Sequence, residues 1–336
     1  MSKVLLIDGN AIGYSCQAAT KLTTPAGLEV QAVFGLLKTM RELRMKYYSY
    51  TPIVLWDGRA QWRYDLYPGY KGNREATIEK VEMKAAYSEQ KPYIDRALRH
   101  LGVRQVLATT HEADDMAGYY VAKLAADPAN EIGVITGDKD WLQFVRKNVF
   151  WRDMRDDSRI IHHNNFYEKT GCLTPLAFLE TKCLQGDSSD TISGVGGIGE
   201  GGAPEFIAEF GSVREFWRQC DAGEHVPKAL AHQRLWKGRC PQTKEEWTAS
   251  FTGDVTDSKA LKKHIAAWPG QGRDIFKRNF QLMQLLKVKP PKKDDLLIDV
   301  GKYDKEAFRE LCAELSFLSI LRGFDEFTEI FLPKEK

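Results

Sequence analysis

The sequence lacks the features that usually place a chain at once. It has no Cys-x-x-Cys pair: Cys16, Cys172, Cys183, Cys220, Cys240 and Cys312 lie far apart. Such scatter argues for reduced thiols in a cytoplasmic setting and against structural zinc. Cys172, Cys183 and the His162–His163 pair read as bystanders rather than ligands. No apolar run approaches the roughly 20 residues of a membrane span, and the opening MSKVLLIDGN is too briefly apolar for a secretory signal. A GxxxxGK(S/T) phosphate loop is missing, which disfavours NTP hydrolysis. Internal repeats and low-complexity tracts are missing too. There is no excess of charge either, with 48 Lys and Arg against 46 Asp and Glu. What remains is the composition of a soluble globular protein, 43% hydrophobic and 28% charged over 336 residues, enough for one large domain or two smaller ones.

What the chain does have is acid in unusual places. His111-Glu112-Ala113-Asp114-Asp115 sets three carboxylates within four residues, where Met116, Tyr119, Tyr120 and Leu124 begin a helical spacing. Acids in a first helical turn complement the helix dipole and need no further reason. Three so close repel, however, and a pair about 4 Å apart costs on the order of 4 kcal/mol at an effective dielectric near 20. A bound cation would relieve that cost, so capping and metal binding both stand at this point.

The order of elements weighs on the choice. KVLLI (3–7) predicts a buried strand ending at Asp8, and residues 29–48 carry a helical apolar face. PIVLW (52–56) predicts a second strand, ending at Asp57. Residues 101–107 predict a third, just before the acid cluster, and EIGVIT (131–136) a fourth, followed by Asp138 and Asp140. Alternating strands and helices argue for an α/β fold with a mainly parallel central sheet and helices on both faces. In such sheets sites form beyond the carboxyl ends of the strands. The acids cluster at that edge, which favours a metal site.

Two basic blocks accompany the acids. Segment 58–74 carries Arg59, Arg63, Lys71 and Arg74 among Trp62, Tyr64, Tyr67 and Tyr70. Segment 273–293 carries Arg273, Lys277, Arg278, Lys287, Lys289, Lys292 and Lys293. Singly each reads as a solvated face; beside the acids they suit a polyanion held on divalent metal. The long connection from 58 to about 95 is read as an arch or lid, helical from about Ile78. Two short strands are expected at 149–152 and 159–162, a helix start at Thr174-Pro175 and a strand near 296–300. Asp187 and Asp190 follow at three-residue spacing, and then Gly194-Val195-Gly196-Gly197-Ile198-Gly199. That string matches GxGxxG formally but follows a helix and a turn, not a strand, so a dinucleotide reading fails its context. A glycine hairpin between helices, with N–H groups free for a phosphate, fits better. Residues 221–272 suggest no mechanism.

IDGN, the strand-end Asp57, YKGNR, HEADD, TGDKDW, GDSSD and GVGGIG, in that order, closely resemble the structure-specific 5′-nucleases. That family includes the 5′→3′ nuclease domain of bacterial DNA polymerase I, bacteriophage 5′-exonucleases and flap endonucleases. The likeness runs from about residue 3 to 215 and resumes near 276–322. With no polymerase domain, the expectation is a stand-alone enzyme of the kind bacteriophages encode, acting in a bacterial or phage-infected cytoplasm as a monomer. The expected division is an α/β nuclease domain at 1–170 and a helical region at 171–336, with a helix-hairpin-helix element about 183–211.

The resemblance implies metal ligands at Asp8, Asp57, Glu112, Asp114, Asp115, Asp138, Asp140, Asp187 and Asp190. A first ion would sit among Asp8, Asp57, Asp114 and Asp138, a second toward Asp140, Asp187 and Asp190. All-oxygen ligands select two Mg²⁺, with Mn²⁺ as a substitute; such a pair activates water and stabilises the leaving 3′-oxygen. Lys71 and Arg74 resemble the basic pair that stabilises charge on the scissile phosphate, and Tyr70 either stacks on a base or simply packs. The hairpin, Gly194 through Gly199, implies a grip on duplex DNA, around a K⁺ in many relatives. Relatives place a cation after the last glycine where this chain has Glu200-Gly201-Gly202; the basic 273–293 segment is expected to compensate. The substrates implied are DNA 5′ ends, flaps and nicks, and RNA–DNA hybrids. Other readings are a ribonuclease of a related acidic fold and a DNA-binding protein without catalysis. A phosphatase using Asp8 would want a second acid two residues on, where Asn10 stands.

Overall fold

The computed structural model describes residues 1–72, 77–238, 244–253, 256, 258–266 and 271–333. It divides into two compact units: Met1–Gln61, Glu75–Asn165 and Leu285–Lys336 form the first, Trp62–Arg74 and Phe166–Gln284 the second. This differs from a boundary at 170. The chain from Leu285 onward returns to the first unit, and a short piece of the expected arch joins the second.

Apolar runs become the strands of the first unit: β1 (Lys3–Asp8), β2 (Thr51–Trp56), β3 (Arg104–Ala108), β4 (Glu131–Thr136), β5 (Val149–Asp153) and β6 (Ile160–Ile161). Among the described residues, the second unit holds only the two-residue strands β7 (Gly186–Asp187) and β8 (Ile192–Ser193), and β9 (Leu296–Asp299) completes the large sheet. Its order is β6-β5-β4-β1-β2-β3-β9, parallel from β5 to β3 and antiparallel at both edges. Alternation along each strand gives two apolar faces. Leu5, Ile7, Val54 and Trp56 pack into one core with helices Gly9–Gln17, Gln31–Lys46, Ile78–His100 and Lys305–Glu314. Leu6 and Leu55, also buried, point to the opposite face, where helix Ala113–Leu124 packs on β1 to β4.

Helix Gln31–Lys46 has no side-chain cap of its own, Val30 standing at its N-cap. The fully buried Gln90 supplies one from Ile78–His100: its Oε1 accepts from Ala32 N (2.9 Å), and its Nε2 donates to Gln17 Oε1 (2.6 Å). Helix Ile78–His100 is exposed at its start, where Ile78 and Val81 face solvent. Tyr87, Gln90, Ile94, Ala97 and Leu98 belong to the core. The charged pattern covers only one face of this helix, and the other face is buried.

In the second unit, Thr174 caps helix Pro175–Gln185 through Ala177 N (3.1 Å). A loop through β7 and β8 leads to helix Gly202–Phe210, whose Phe206 and Phe210 each meet Phe216 edge to face. Helices Leu230–Lys237, Lys244–Ala249 and Ser258–Ala266 account for much of the stretch that suggested no mechanism; Trp268 lies outside the described residues. Helix Gly272–Met283 closes the unit. Its buried Asn279 donates to Cys183 O and Ser193 O (2.9 Å each).

Candidate metal centre

β1 lies between β2 and β4 in parallel register, so three strands deliver their carboxyl ends to one edge. Asp8 ends β1, Asp57 follows β2 and Asp138 follows β4 by one residue. Helix Ala113–Leu124 starts at the same edge and brings Glu112 and Asp114. The close approach depends on glycine. A Cβ on Gly58 would stand 2.0 Å from the Ala108 carbonyl oxygen, and one on Gly9 2.4 Å from the Trp56 ring.

Each carboxylate is aimed by donors. Asp8 Oδ1 accepts from Ala11 N (2.9 Å), capping helix Gly9–Gln17, and Oδ2 accepts from Thr136 Oγ1 (2.8 Å). Asp57 Oδ1 accepts from Ala113 N (2.8 Å) and Oδ2 from Asn10 Nδ2 (2.6 Å). Trp141 Nε1 donates to Asp114 Oδ1 (2.6 Å), and Asp140 N donates to Asp138 Oδ1 (2.7 Å). Asp115 forms a capping box with Glu112, its Oδ2 accepting from Glu112 N (3.0 Å). Capping thus describes Asp115 well, while Asp8, Asp57, Glu112, Asp114 and Asp138 converge.

Their proximity carries an electrostatic cost. Burial, then the charge of Asp57, pushes the Asp8 carboxyl up to about 7, against smaller opposing pulls from Ala11 N–H and Thr136. Burial, then the charges of Asp138, Asp57, Asp8 and Glu112, raises Asp114 well above the ordinary carboxylate range. Among the described residues no three such side chains close on one point as a finished ligand set. The donors nonetheless suit a hard divalent cation: only oxygen is offered, by acids that repel one another until a proton or a cation intervenes.

Within the second unit, Asp187 and Asp190 lie on the turn between β7 and β8. Burial works to raise Asp187, but the Ser189 hydroxyl and the Lys182 ammonium, 3.2 Å from its Oδ2, outweigh it and hold the carboxyl below its usual range. Lys71 adopts φ 56°, a left-handed conformation, and its N–H donates to the Asp190 carbonyl (2.8 Å). Tyr70, only 4% exposed, packs edge-on against Tyr64 with the Lys71 ammonium over its ring. Its packing role is therefore the one realised in this state. Arg74 lies outside the described residues. Gly194 to Gly199 form an irregular turn before helix Gly202–Phe210, with Gly196 and Gly197 at positive φ and Val195 and Ile198 buried. Arg278, counted among free cations from sequence, stacks on Tyr67 and donates to Ser193.

Sequence reasoning passed over Thr136, Asn10 and Trp141 as groups that aim acids. All three lie inside or beside the strand-end motifs, so proximity to those motifs was the available signal.

Residues 3–171 match the family described as 5′-3′ exonuclease, N-terminal resolvase-like domain. The thermostable DNA polymerase I of Thermus filiformis is 32% identical over 220 residues, covering 65% of this chain and 25% of that protein. The chain thus spans about a quarter of the length of the curated relatives it matches. Among solved structures, a bacteriophage T5 protein co-crystallised with metal ions superposes with TM-score 0.62 at 20% identity, covering 94% of this chain and 99% of that one. The bacteriophage T5 flap endonuclease in a pseudo-enzyme-product complex with DNA and metal ions gives TM-score 0.60 at 21% identity, covering 98% and 97%. No described helix is long and apolar enough to cross a membrane. With half its length matched by that family's model and its whole architecture shared with those folds, the chain belongs to the 5′-3′ exonuclease family.

Proposed function

We propose that this protein is a divalent-metal-dependent 5′-nuclease that cleaves phosphodiester bonds near DNA 5′ ends, flaps or nicks and leaves a 5′-phosphate and a 3′-hydroxyl. The observation that carries the reading is that Asp8, Asp57, Asp114 and Asp138 meet at one strand-end edge, where burial first and mutual repulsion second push the Asp8 carboxyl up to about 7 and Asp114 well above its ordinary range. A DNA-binding protein without catalysis would have no reason to keep that cost. The T5 relatives are described with metal ions and with DNA, which supports the same chemistry here. Bound Mg²⁺ or Mn²⁺ would supply Lewis acidity toward water and the scissile phosphate.

The chain's own residues would do the rest. Thr136, Asn10, Ala113 N and Trp141 orient Asp8, Asp57 and Asp114, and a cation would take the second lone pairs of the carboxylate oxygens. A second ion would take Asp187 and Asp190, where the Lys182 ammonium now balances Asp187. Lys71 and Arg74 would offset charge on the phosphate, and the 194–199 turn would hold duplex backbone, with K⁺ as its partner ion. Tyr70 would have to leave its packed position to stack on a base. Removal of RNA primers during replication, with RNA–DNA hybrids as substrates, is the role this chemistry suits.

The test is digestion of 5′-labelled flap, nicked, single-stranded and RNA-primed substrates with and without Mg²⁺. Asp114→Ala and Asp138→Ala should each abolish cleavage and retain DNA binding. Substantial turnover by either variant contradicts the ligand assignment.

A further inference from the structure

Residues 287–293 read Lys-Val-Lys-Pro-Pro-Lys-Lys. They belong to the first unit, the one that carries the acid cluster, whereas Arg273, Lys277 and Arg278 belong to the second. The segment is fastened at the strand-end edge. His111, 9% exposed and adjacent to Glu112, donates from Nε2 to the Lys289 carbonyl (2.7 Å), a pairing that leaves Nδ1 to accept from Thr110 Oγ1 (3.0 Å). Two residues past the segment, the Asp295 carbonyl accepts from Thr109 N (2.9 Å) just beyond β3. Lys287, Lys289, Lys292 and Lys293 are exposed, and none pairs with a carboxylate among the described residues. Two prolines limit the backbone between them.

Four solvated cations on a surface are usually worth little to stability. Here they are collected on one fastened segment, beside acids that would repel a polyanion if left alone. We propose that Lys287, Lys289, Lys292 and Lys293 form a rail for the nucleic-acid backbone, fastened by His111 next to the metal centre. The rail draws the substrate strand to an edge whose own charge is negative. This rests on the nuclease reading and adds which lysines hold the strand and where.

Counterion release provides the test, since removing one lysine from a phosphate lowers the slope of log affinity against log salt by about 0.7 to 0.9. Binding of a 5′-flap DNA is measured by fluorescence anisotropy in EDTA over a salt series, so that no turnover occurs. The double variant Lys292→Gln/Lys293→Gln should reduce the slope by about one to two and keep its melting temperature. The control is Lys123→Gln/Lys147→Gln, equal in charge change. Lys123 ends the helix that runs back from the metal edge, and Lys147 precedes the amino end of β5. The control should keep the wild-type slope. An unchanged slope in the first variant, or an equal loss in both, overturns the rail. Failure of the wild-type protein to cleave in Mg²⁺ would instead overturn the nuclease reading, and the two results are read in separate experiments.

Discussion

At the scale of single residues, the acid cluster at the strand-end edge is a place where stability is given up for charge. Asp8 has a folded pKa near 7 against an ordinary value of 3.8. Between about pH 4 and pH 7 the folded chain therefore keeps a proton that the unfolded chain releases. Stability from this group is present at the acid end and falls as pH rises through that window, by on the order of a few kcal/mol. Asp114 acts in the same direction. Asp187, held low, acts in the opposite one, so the clean measurement is a difference. Without divalent ions, Asp8→Asn should melt at a higher temperature than wild type at pH 8, and the gap should close toward pH 5. Mg²⁺ at pH 8 should stabilise wild type more than the variant, because binding to the folded form alone adds to stability. Thermal melts at the two pH values check both statements; a variant less stable than wild type at pH 8 would contradict them.

Elements are joined by a few buried polar groups. The start of helix Gln31–Lys46 depends on Gln90, 58 residues distant along the chain from Ala32, and Gln90 is in turn held by Gln17 from the helix that begins behind Asp8. Gln90→Leu would keep the volume but leave the Ala32 N–H buried without its acceptor, at a cost of about 1–3 kcal/mol. Urea unfolding should show that loss with an unchanged slope. An effect below a few tenths of a kcal/mol would mean that another acceptor replaces the amide. Nothing in the local sequence announces this cap. Glutamine is an ordinary residue in a charged helix, and its importance comes from the helix it happens to face. A charged pattern likewise says that one face is wet but not that the other is exposed.

At the scale of the molecule, residues 285–336 decide whether the first unit folds at all. Phe308, Leu311, Phe317, Ile320, Phe324 and Phe327 lie in the same core as β1, β2 and helix Ile78–His100. Six such side chains at about 1.5–3 kcal/mol each represent roughly 10 kcal/mol, comparable with the whole stability of an ordinary domain. A chain ending at residue 284 should therefore lack cooperative unfolding and expose apolar surface, although it contains every proposed metal ligand. Circular dichroism melts and dye binding on the truncated protein check this; a sharp transition near that of the full chain would refute it.

The sequence by itself determined the strands, because runs such as KVLLI and PIVLW can only be buried. It also determined which chemistry stands at their ends, since an acid after each run is a local fact. The helix start at Thr174 was legible for the same reason. Tertiary structure decided the rest. The pairing of β1 between β2 and β4 turned separated acids into mutually repelling ones. The return of Leu285–Lys336 to the first unit set the lysine segment beside them and moved the boundary. Packing placed Tyr70 inside and spent Arg278 on Tyr67 and Ser193. These outcomes depend on the meeting of residues far apart in the chain, and neither periodicity nor composition carries that information.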